Sequence, residues 1–393
     1  MKAASGCKLF GAQQALSGVR DGVLLLHSVV GCGFGSTAFH FGCDMGSLRQ
    51  SCTVISDSDV VFGGEDSLER ALGYAEELYR PQVIFVLTGC VSDIVQDDAA
   101  AVIRRFRGCA RVVWVEAAGY RGDLKDGYEA GLLALADLME PQPPDSSFTV
   151  NLLGLGADDH RVRQEIAAVR GLMGPPIRIG AVFSGSGIRE IAYAPSAQLN
   201  LVFGRGIELA REMRRRFGIP YEELDYPYGI TGAEALWEAL SRRFALDFSP
   251  RKKRFLSRTA EGLRPLHGYL QALHGMPAAV IASRARCRGM ARFLSEELGM
   301  EVVCRMEREE IDDLDEAFDR IRAGEAAVLF GSSFEAELAD ELAIPLLRFD
   351  YPVFDRFCVS DRPYIGAKGT LCLVEDLLNE IIGARSRKGA LYQ

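Results

Sequence analysis

The sequence lacks any apolar run of about 18–20 residues, the length a membrane-spanning helix needs. Its opening stretch is broken by Lys2, Lys8, Gln13, Gln14 and Arg20, where a secretory leader would need an unbroken apolar core. Both absences point to a cytoplasmic chain without a membrane partner. An excess of basic charge is lacking too. Lys and Arg number 45 against 54 Asp and Glu, for a formal net charge of −9, and the one dense basic run, Arg251-Lys252-Lys253-Arg254, has the length of a solvated helix start. No nucleic-acid partner is expected. Zinc chemistry lacks its patterns: there is no C-x-x-C, and the five histidines form neither H-x-x-x-H nor H-E-x-x-H. The turn Phe183-Ser184-Gly185-Ser186-Gly187 is followed by neither G-x-G-x-x-G nor Lys-Ser/Thr, so it reads as a plain strand-to-helix turn.

What the chain has is 393 residues, 48% of them hydrophobic, with 41 glycines and ten cysteines. At about 100–200 residues per domain, this length predicts two or three domains. In a reducing compartment the cysteines do not form a disulfide framework. Those beside glycine-rich strand ends raise a question of metal or redox chemistry, and the remainder read as small core hydrophobes.

Short β-branched or aliphatic runs alternate with helical patterns along the whole length, the signature of parallel sheets covered by helices. The first set comprises Val23 to Leu26, Val83 to Leu87 and Val112 to Val115. Between the first two, Ser67 to Tyr79 is apolar at Leu68, Leu72, Ala75 and Leu78, with Glu65 and Asp66 placed to meet the helix dipole. The proline-rich segment Pro141 to Ser147 reads as a linker. A second unit follows with the strand Ile177 to Phe183 and a helix from about Ile207 to Phe217. A third contains Ala278 to Ile281, Ala326 to Phe330, Ile344 to Phe349 and a closing helix from Cys372 to Ile382. The expected architecture is α/β: three Rossmann-like domains with mostly parallel sheets, at 1–147, 148–250 and, with a connecting helix, 251–393.

In such sheets ligands lie beyond the carboxyl ends of the strands. Cys32 follows the strand ending near His27 and is flanked by Gly31, Gly33 and Gly35; Cys90 follows Thr88-Gly89 directly into a helix; Cys7 lies beside Gly6. Thiols so placed suit metal ligation, although spacing alone does not group the three and tight turns before helices explain the glycines equally well. His27 reads as a satisfied buried imidazole. The pairs Asp97-Asp98 and Asp312-Asp313 read as helix-surface carboxylates, solvated or dipole-related. Cys109, Cys287, Cys304, Cys358 and Cys372 read as packing residues.

The runs His27-Ser28-Val29-Val30-Gly31-Cys32, Phe39-His40-Phe41, Ser51 to Gly64 and Thr88 to Asp98 closely resemble, in order and spacing, the nitrogenase component 1 superfamily. Further likeness lies in Phe183 to Gly187, Leu199 to Val202, Gly218-Ile219-Pro220, Gly331-Ser332-Ser333 and Arg348 to Arg356, the last resembling the β-type subunit more than the α-type. The resemblance implies that Cys7, Cys32 and Cys90 hold half of an iron–sulfur cluster, either a P-cluster-like [8Fe-7S] or a [4Fe-4S] cluster, at an interface with an α-type subunit, typically in an α2β2 heterotetramer. It implies that Phe62 belongs to the docking surface for an ATP-dependent iron protein, and that the first domain carries both the cysteines and that surface. Thiolates suit this work because they are soft and anionic.

Departures narrow the role. Where the α-type subunit has a cofactor cysteine after the Asn-Leu-Val run, this chain has Gly204, and Tyr351 to Phe357 contains no histidine. No serine stands in Glu116-Ala117-Ala118-Gly119-Tyr120, where β-type subunits offer one to the oxidised cluster. Cys52 falls at a non-ligating family position, and Cys43 and Asp44 are candidate fourth ligands. The implied function is that of a β-type subunit of a nitrogenase-like reductase, of the nitrogenase or methylthio-alkane reductase type, relaying electrons to a partner's catalytic cofactor. The alternatives are a subunit of a tetrapyrrole reductase of the protochlorophyllide-reductase type and a cofactor-assembly scaffold.

Overall fold

The computed structural model describes residues 6–38, 49–156, 159–183 and 185–387. Phe39, His40, Phe41, Cys43, Asp44 and Ser184 lie outside them. Strands β1 (Gly22–His27), β2 (Gln50–Cys52), β3 (Val83–Thr88) and β4 (Arg111–Glu116) form a sheet in the order β2-β1-β3-β4, with parallel neighbours. The sequence Val-Ile-Phe-Val-Leu-Thr of β3 is buried at every position, as a central strand covered on both faces must be. Strands β5 (Thr149–Leu153), β6 (Arg178–Val182), β7 (Leu199–Val202) and β8 (Tyr221–Glu223) make a second sheet in the order β6-β5-β7-β8. Strands β9 (Pro277–Ala282), β10 (Glu301–Glu307), β11 (Val328–Gly331) and β12 (Leu346–Arg348) make a third, in the order β10-β9-β11-β12. The expected α/β class with three Rossmann-like parallel sheets is what the chain adopts.

The helices accompanying the first sheet are α1 (Lys8–Leu16), α2 (Val30–Ala38), α3 (Asp57–Phe62), α4 (Glu65–Tyr79), α5 (Cys90–Val95), α6 (Ala99–Arg105) and α7 (Leu124–Ala134). Helix α4 begins at the two acidic residues read as dipole partners and buries Leu68, Leu72 and Ala75, but Leu78, expected on the same face, is 72% exposed. Helices α1 and α7 cross so closely that only glycine fits at the crossing. A Cβ on Gly11 would lie 1.8 Å from the Leu124 carbonyl oxygen, and one on Gly127 would lie 1.8 Å from that of Lys8. This crossing anchors the start of α1, and with it Cys7, against α7.

The chain forms two compact units, residues 1–158 with 179–221 and residues 159–178 with 222–393. In the first, Leu9, Leu16, Phe85, Leu87, Tyr128, Leu132, Val202 and Met213 belong to one continuous apolar core. In the second, helix α8 (Val162–Met173) supplies Glu165 to the buried Arg286 at 2.8 Å, and Arg286 also donates to the Tyr228 hydroxyl and the Phe349 carbonyl, both at 2.9 Å. Among the described residues no helix is long and apolar enough to cross a membrane.

Burial, with Arg161 beside it, lowers the pKa of His160 from 6.5 to about 3. The unfolded imidazole therefore takes up its proton at a higher pH than the folded one. The stability this group contributes is complete above pH 6.5 and is lost as the pH falls toward 3. The expected slope is about 1.4 kcal/mol per pH unit, or about 2 kcal/mol between pH 6.5 and 5. Urea midpoints at pH 7 and pH 5 measure it. His160→Gln should flatten the dependence, and an unchanged slope in that variant refutes the assignment.

Candidate metal centre

Parallel register pairs His27 with Thr88, so β1 and β3 end at one level, and the segments leaving them carry Cys32 and Cys90. Gly89 joins β3 to α5. Its N–H donates to the His27 carbonyl at 3.0 Å, and a Cβ there would come within 2.4 Å of the Ser28 Oγ, so this turn accepts no side chain. The Ser92 hydroxyl bonds the same His27 carbonyl at 2.9 Å, tying the first turn of α5 to the end of β1.

Cys7 is the N-cap of α1, in extended conformation, and forms an isolated antiparallel bridge with Asp123, the N-cap of α7. The thiols of Cys7 and Cys90 converge on Gly119, in the short turn Gly119–Arg121 beyond β4. The Gly119 N–H donates to the Cys90 Sγ at 3.1 Å. A Cβ on Gly119 would sit 3.3 Å from both sulfurs and 3.0 Å from the Cys7 Cβ, so the missing side chain leaves a cradle between them. Cys32 lies in the first turn of α2, on the same carboxyl edge of the sheet, and it packs half-buried against the same core as Cys7. Among the described residues no three His, Cys, Asp or Glu side chains form a metal-binding cluster within the chain.

Cys52, at the end of β2, is engaged otherwise. Its thiol donates to the Ser28 and Val29 carbonyls at 3.3 and 3.7 Å and accepts from the Val54 N–H at 3.4 Å. Burial pushes this thiol's pKa up, which favours the protonated form over a ligating thiolate.

Phe62 ends α3, whose first turn is a capping box of Ser56 and Asp59, and the residue is 86% exposed. The chain then turns at Gly63, at φ 94°, a left-handed conformation that suits glycine. The next N–H, of Gly64, donates to the Asp97 Oδ1 at 2.7 Å. The other Asp97 oxygen lies 3.0 Å from the His27 Nε2, with both side chains almost fully buried. Burial lowers the His27 pKa against the raising effect of Asp97. The neutral ring donates from Nε2 to Asp97 and accepts at Nδ1 from the Thr53 hydroxyl at 3.1 Å. His27 is thus the satisfied buried imidazole expected.

Asp97 is not the solvated carboxylate read from the sequence; it is the buried partner of His27 and Gly64. Asp98 and Asp313 cap the helices that follow them, Asp98 bonding the Ala101 N–H at 2.8 Å. Cys287, Cys304 and Cys372 are buried, but Cys109 is exposed, and Cys358 is half-buried with its sulfur 3.0 Å from an Arg161 nitrogen. Sequence reasoning missed Gly119 altogether, because attention there fell on the absent serine; the Ala-Ala-Gly step after a strand was the available signal.

The fold and site define a class: a protein of parallel α/β sheets presenting cysteine thiols at the carboxyl edge of the first. The sequence model of the nitrogenase component 1 type oxidoreductases matches residues 7–382, and the chain belongs to that family. It is 24% identical over 445 residues to the nitrogenase molybdenum-iron protein beta chain of Methanococcus maripaludis, covering 96% of this chain and 93% of that protein. It is 32% identical over 234 residues to the nitrogenase iron-molybdenum cofactor biosynthesis protein NifE of Clostridium pasteurianum, covering 57% of this chain and 50% of that protein. The solved structure of nitrogenase Cp1 at pH 6.5 superposes with a TM-score of 0.83 at 20% identity, covering 99% of this chain and 94% of that one, and so shares the fold. The likeness is β-type, and the family is that of subunits of an oxidoreductase complex.

Proposed function

We propose that this chain is the β-type subunit of a nitrogenase-like reductase of the nitrogenase or methylthio-alkane reductase type. Cys7, Cys32 and Cys90 hold one side of an iron–sulfur cluster, P-cluster-like [8Fe-7S] or [4Fe-4S], shared with an α-type subunit in an α2β2 complex. The observation that carries this reading is the convergence of the Cys7 and Cys90 thiols on the empty side of Gly119, with Cys32 on the same sheet edge. These donors fit the group: they are soft, half-buried and uncrowded by any side chain at residue 119. When bound, the cluster supplies reversible one-electron transfer.

The chain's own part is positioning and tuning. The Gly119 N–H donates to the Cys90 sulfur, and such bonds to cluster-ligating sulfurs tune redox potential. Val30, Phe34 and Ile94, on the helices that carry Cys32 and Cys90, expose 61%, 76% and 68% of their surface, an apolar margin suited to burial against the α-type partner. Phe62 belongs to the docking surface for the ATP-dependent iron protein. Residues 1–147 act as the cluster domain, 148–250 as the second domain and 251–393 as the third, in the cytoplasm.

Phe62→Ala should slow reduction of the complex by the iron protein about ten-fold or more at sub-saturating iron protein, with bound iron unchanged, as truncation of an aromatic anchor does. Stopped-flow absorbance with parallel iron assay measures both, and iron loss in the variant counts against a docking role.

The likeness to NifE supports a second reading, a scaffold on which a cofactor is assembled and released. Anaerobic purification with the co-purifying subunits, and a count of iron, sulfide and heterometals, tests the proposal. A partner retaining a cofactor cysteine and histidine, with iron well beyond one small interfacial cluster, supports the reductase, and turnover with an iron protein separates it from the scaffold. A partner lacking those ligands, with iron for the small cluster alone, replaces this reading by a tetrapyrrole reductase.

A further inference from the structure

The basic run read as a solvated helix start is not wholly given over to solvent. In the second compact unit, the helix Ser249–Leu263, helix α8 and the start of the helix Gly366–Arg387 border a solvent-open cavity of about 330 Å³. That is at the low end of the range of about 300–1,000 Å³ typical of small-molecule sites. Leu172, Trp237, Phe255 and Ile365 supply an apolar lining, and Ala168 and Gly171 leave it open. The lining is rigid: the Trp237 indole N–H donates to the Leu172 carbonyl at 2.9 Å, and its ring packs against Phe248 and edge-on against Phe255.

Arg251, Arg254 and Arg258, at positions i, i+3 and i+7 of one helix, all line this cavity. Their commitments differ. Arg251 donates to the Pro175 carbonyl at 2.8 Å, and the one carboxylate that lines the cavity, Asp361, is neutralised by Lys368, also a lining residue, at 2.6 Å. Lys252 points elsewhere, to Glu234 at 2.5 Å. Arg254 and Arg258 have no carboxylate or carbonyl partner among the described residues. An apolar, aromatic-lined cavity bordered by two uncompensated guanidiniums is complementary to a molecule with an apolar body and an oxoanion head, which a guanidinium grips in a bidentate fork.

We infer that this cavity is a binding site for a small amphipathic anion, an apolar chain or ring system bearing a carboxylate or a phosphate. The body lies on Trp237 and Phe255, and the head meets Arg254 and Arg258. This site is independent of the cysteine centre and of the function proposed for it.

Isothermal titration of the full chain with octanoate, octyl phosphate and octanol tests the inference. Saturable binding of either anion at one site per chain is expected, with octanol about ten-fold weaker. In the double variant Arg254→Gln/Arg258→Gln, both residues being exposed, anion and alcohol should bind alike. Gly171→Leu should abolish binding of all three probes. A Cβ at Gly171 meets nothing within 4 Å, so the new side chain plugs the cavity while helix α8 gains propensity, and the thermal midpoint should hold or rise. Octanol binding as tightly as the anions, undiminished binding in Gly171→Leu, or no saturation by either anion up to about 10 mM would each overturn the inference.

Discussion

Loss of most of the bound iron is the expected result of replacing Cys90 by alanine in the anaerobically purified complex. Of the three proposed ligands, Cys90 is the one whose surroundings are most completely built for a thiolate. It receives the Gly119 N–H at 3.1 Å, it shares the cradle with Cys7, and its helix is tied to β1 through Ser92 and Gly89. Alanine removes the donor and leaves that N–H facing an empty cradle. Because ligand binding and local order reinforce each other at a metal site, iron per chain should fall below about a fifth of the wild-type value. Cys52→Ala is the matched control. Its thiol already donates to two backbone carbonyls and is held protonated by burial, so the variant should keep its iron. Wild-type absorbance and spin signals in Cys90→Ala would remove that residue from the ligand set, and loss of iron in Cys52→Ala would show that the shell was drawn too narrowly.

Much of the fold was legible because its signals are local. The run Val83 to Leu87 has the unbroken β-branched and aliphatic character that only a strand covered on both faces can bury, and Glu65-Asp66 marks a helix start through charge and dipole. The ends of elements were less legible. The closing helix runs from Gly366 to Arg387, well beyond the Cys372 to Ile382 read from apolar spacing, because its outer turns carry polar residues that leave no periodic mark. At the candidate site, strand-end glycines pointed to Cys32 and Cys90; at Gly89 a close approach to Ser28 demands the missing side chain, whereas Gly31, Gly33 and Gly35 have room for one. What stayed hidden was pairing across distance. Nothing near Asp97 in sequence announces that its carboxylate is buried against His27, 70 positions away, or that the side chain missing at Gly119 makes room for two sulfurs.

Asp97 carries the second large expected effect, because one residue joins three parts of the candidate site, two of them through its carboxylate. It accepts from His27 at the end of the strand that leads to Cys32. It accepts from Gly64, two residues beyond Phe62. It also follows, by two residues, the end of the helix that begins at Cys90. Asp97→Ala leaves the buried His27 Nε2–H and the Gly64 N–H unsatisfied. Bonds to a charged acceptor contribute roughly 1.5–3 kcal/mol each, so a loss on the order of 3 kcal/mol is expected, read as a lowered thermal midpoint. The conservative variant should behave differently. In Asp97→Asn the amide oxygen keeps the Gly64 bond, while the amide N–H meets His27, whose ring can shift its proton to Nδ1 and donate to Thr53 instead. That rearrangement should cost only about 1 kcal/mol. If Asp97 acts by holding the Phe62 turn, exchange of the Gly64 amide and reduction by the iron protein should both suffer in Asp97→Ala and largely recover in Asp97→Asn, with bound iron lost less than in Cys90→Ala. Equal stability of the two variants would mean that the charge matters and the geometry does not. An unchanged Gly64 exchange rate in Asp97→Ala would show that the turn is held by its own left-handed glycine and capping box alone.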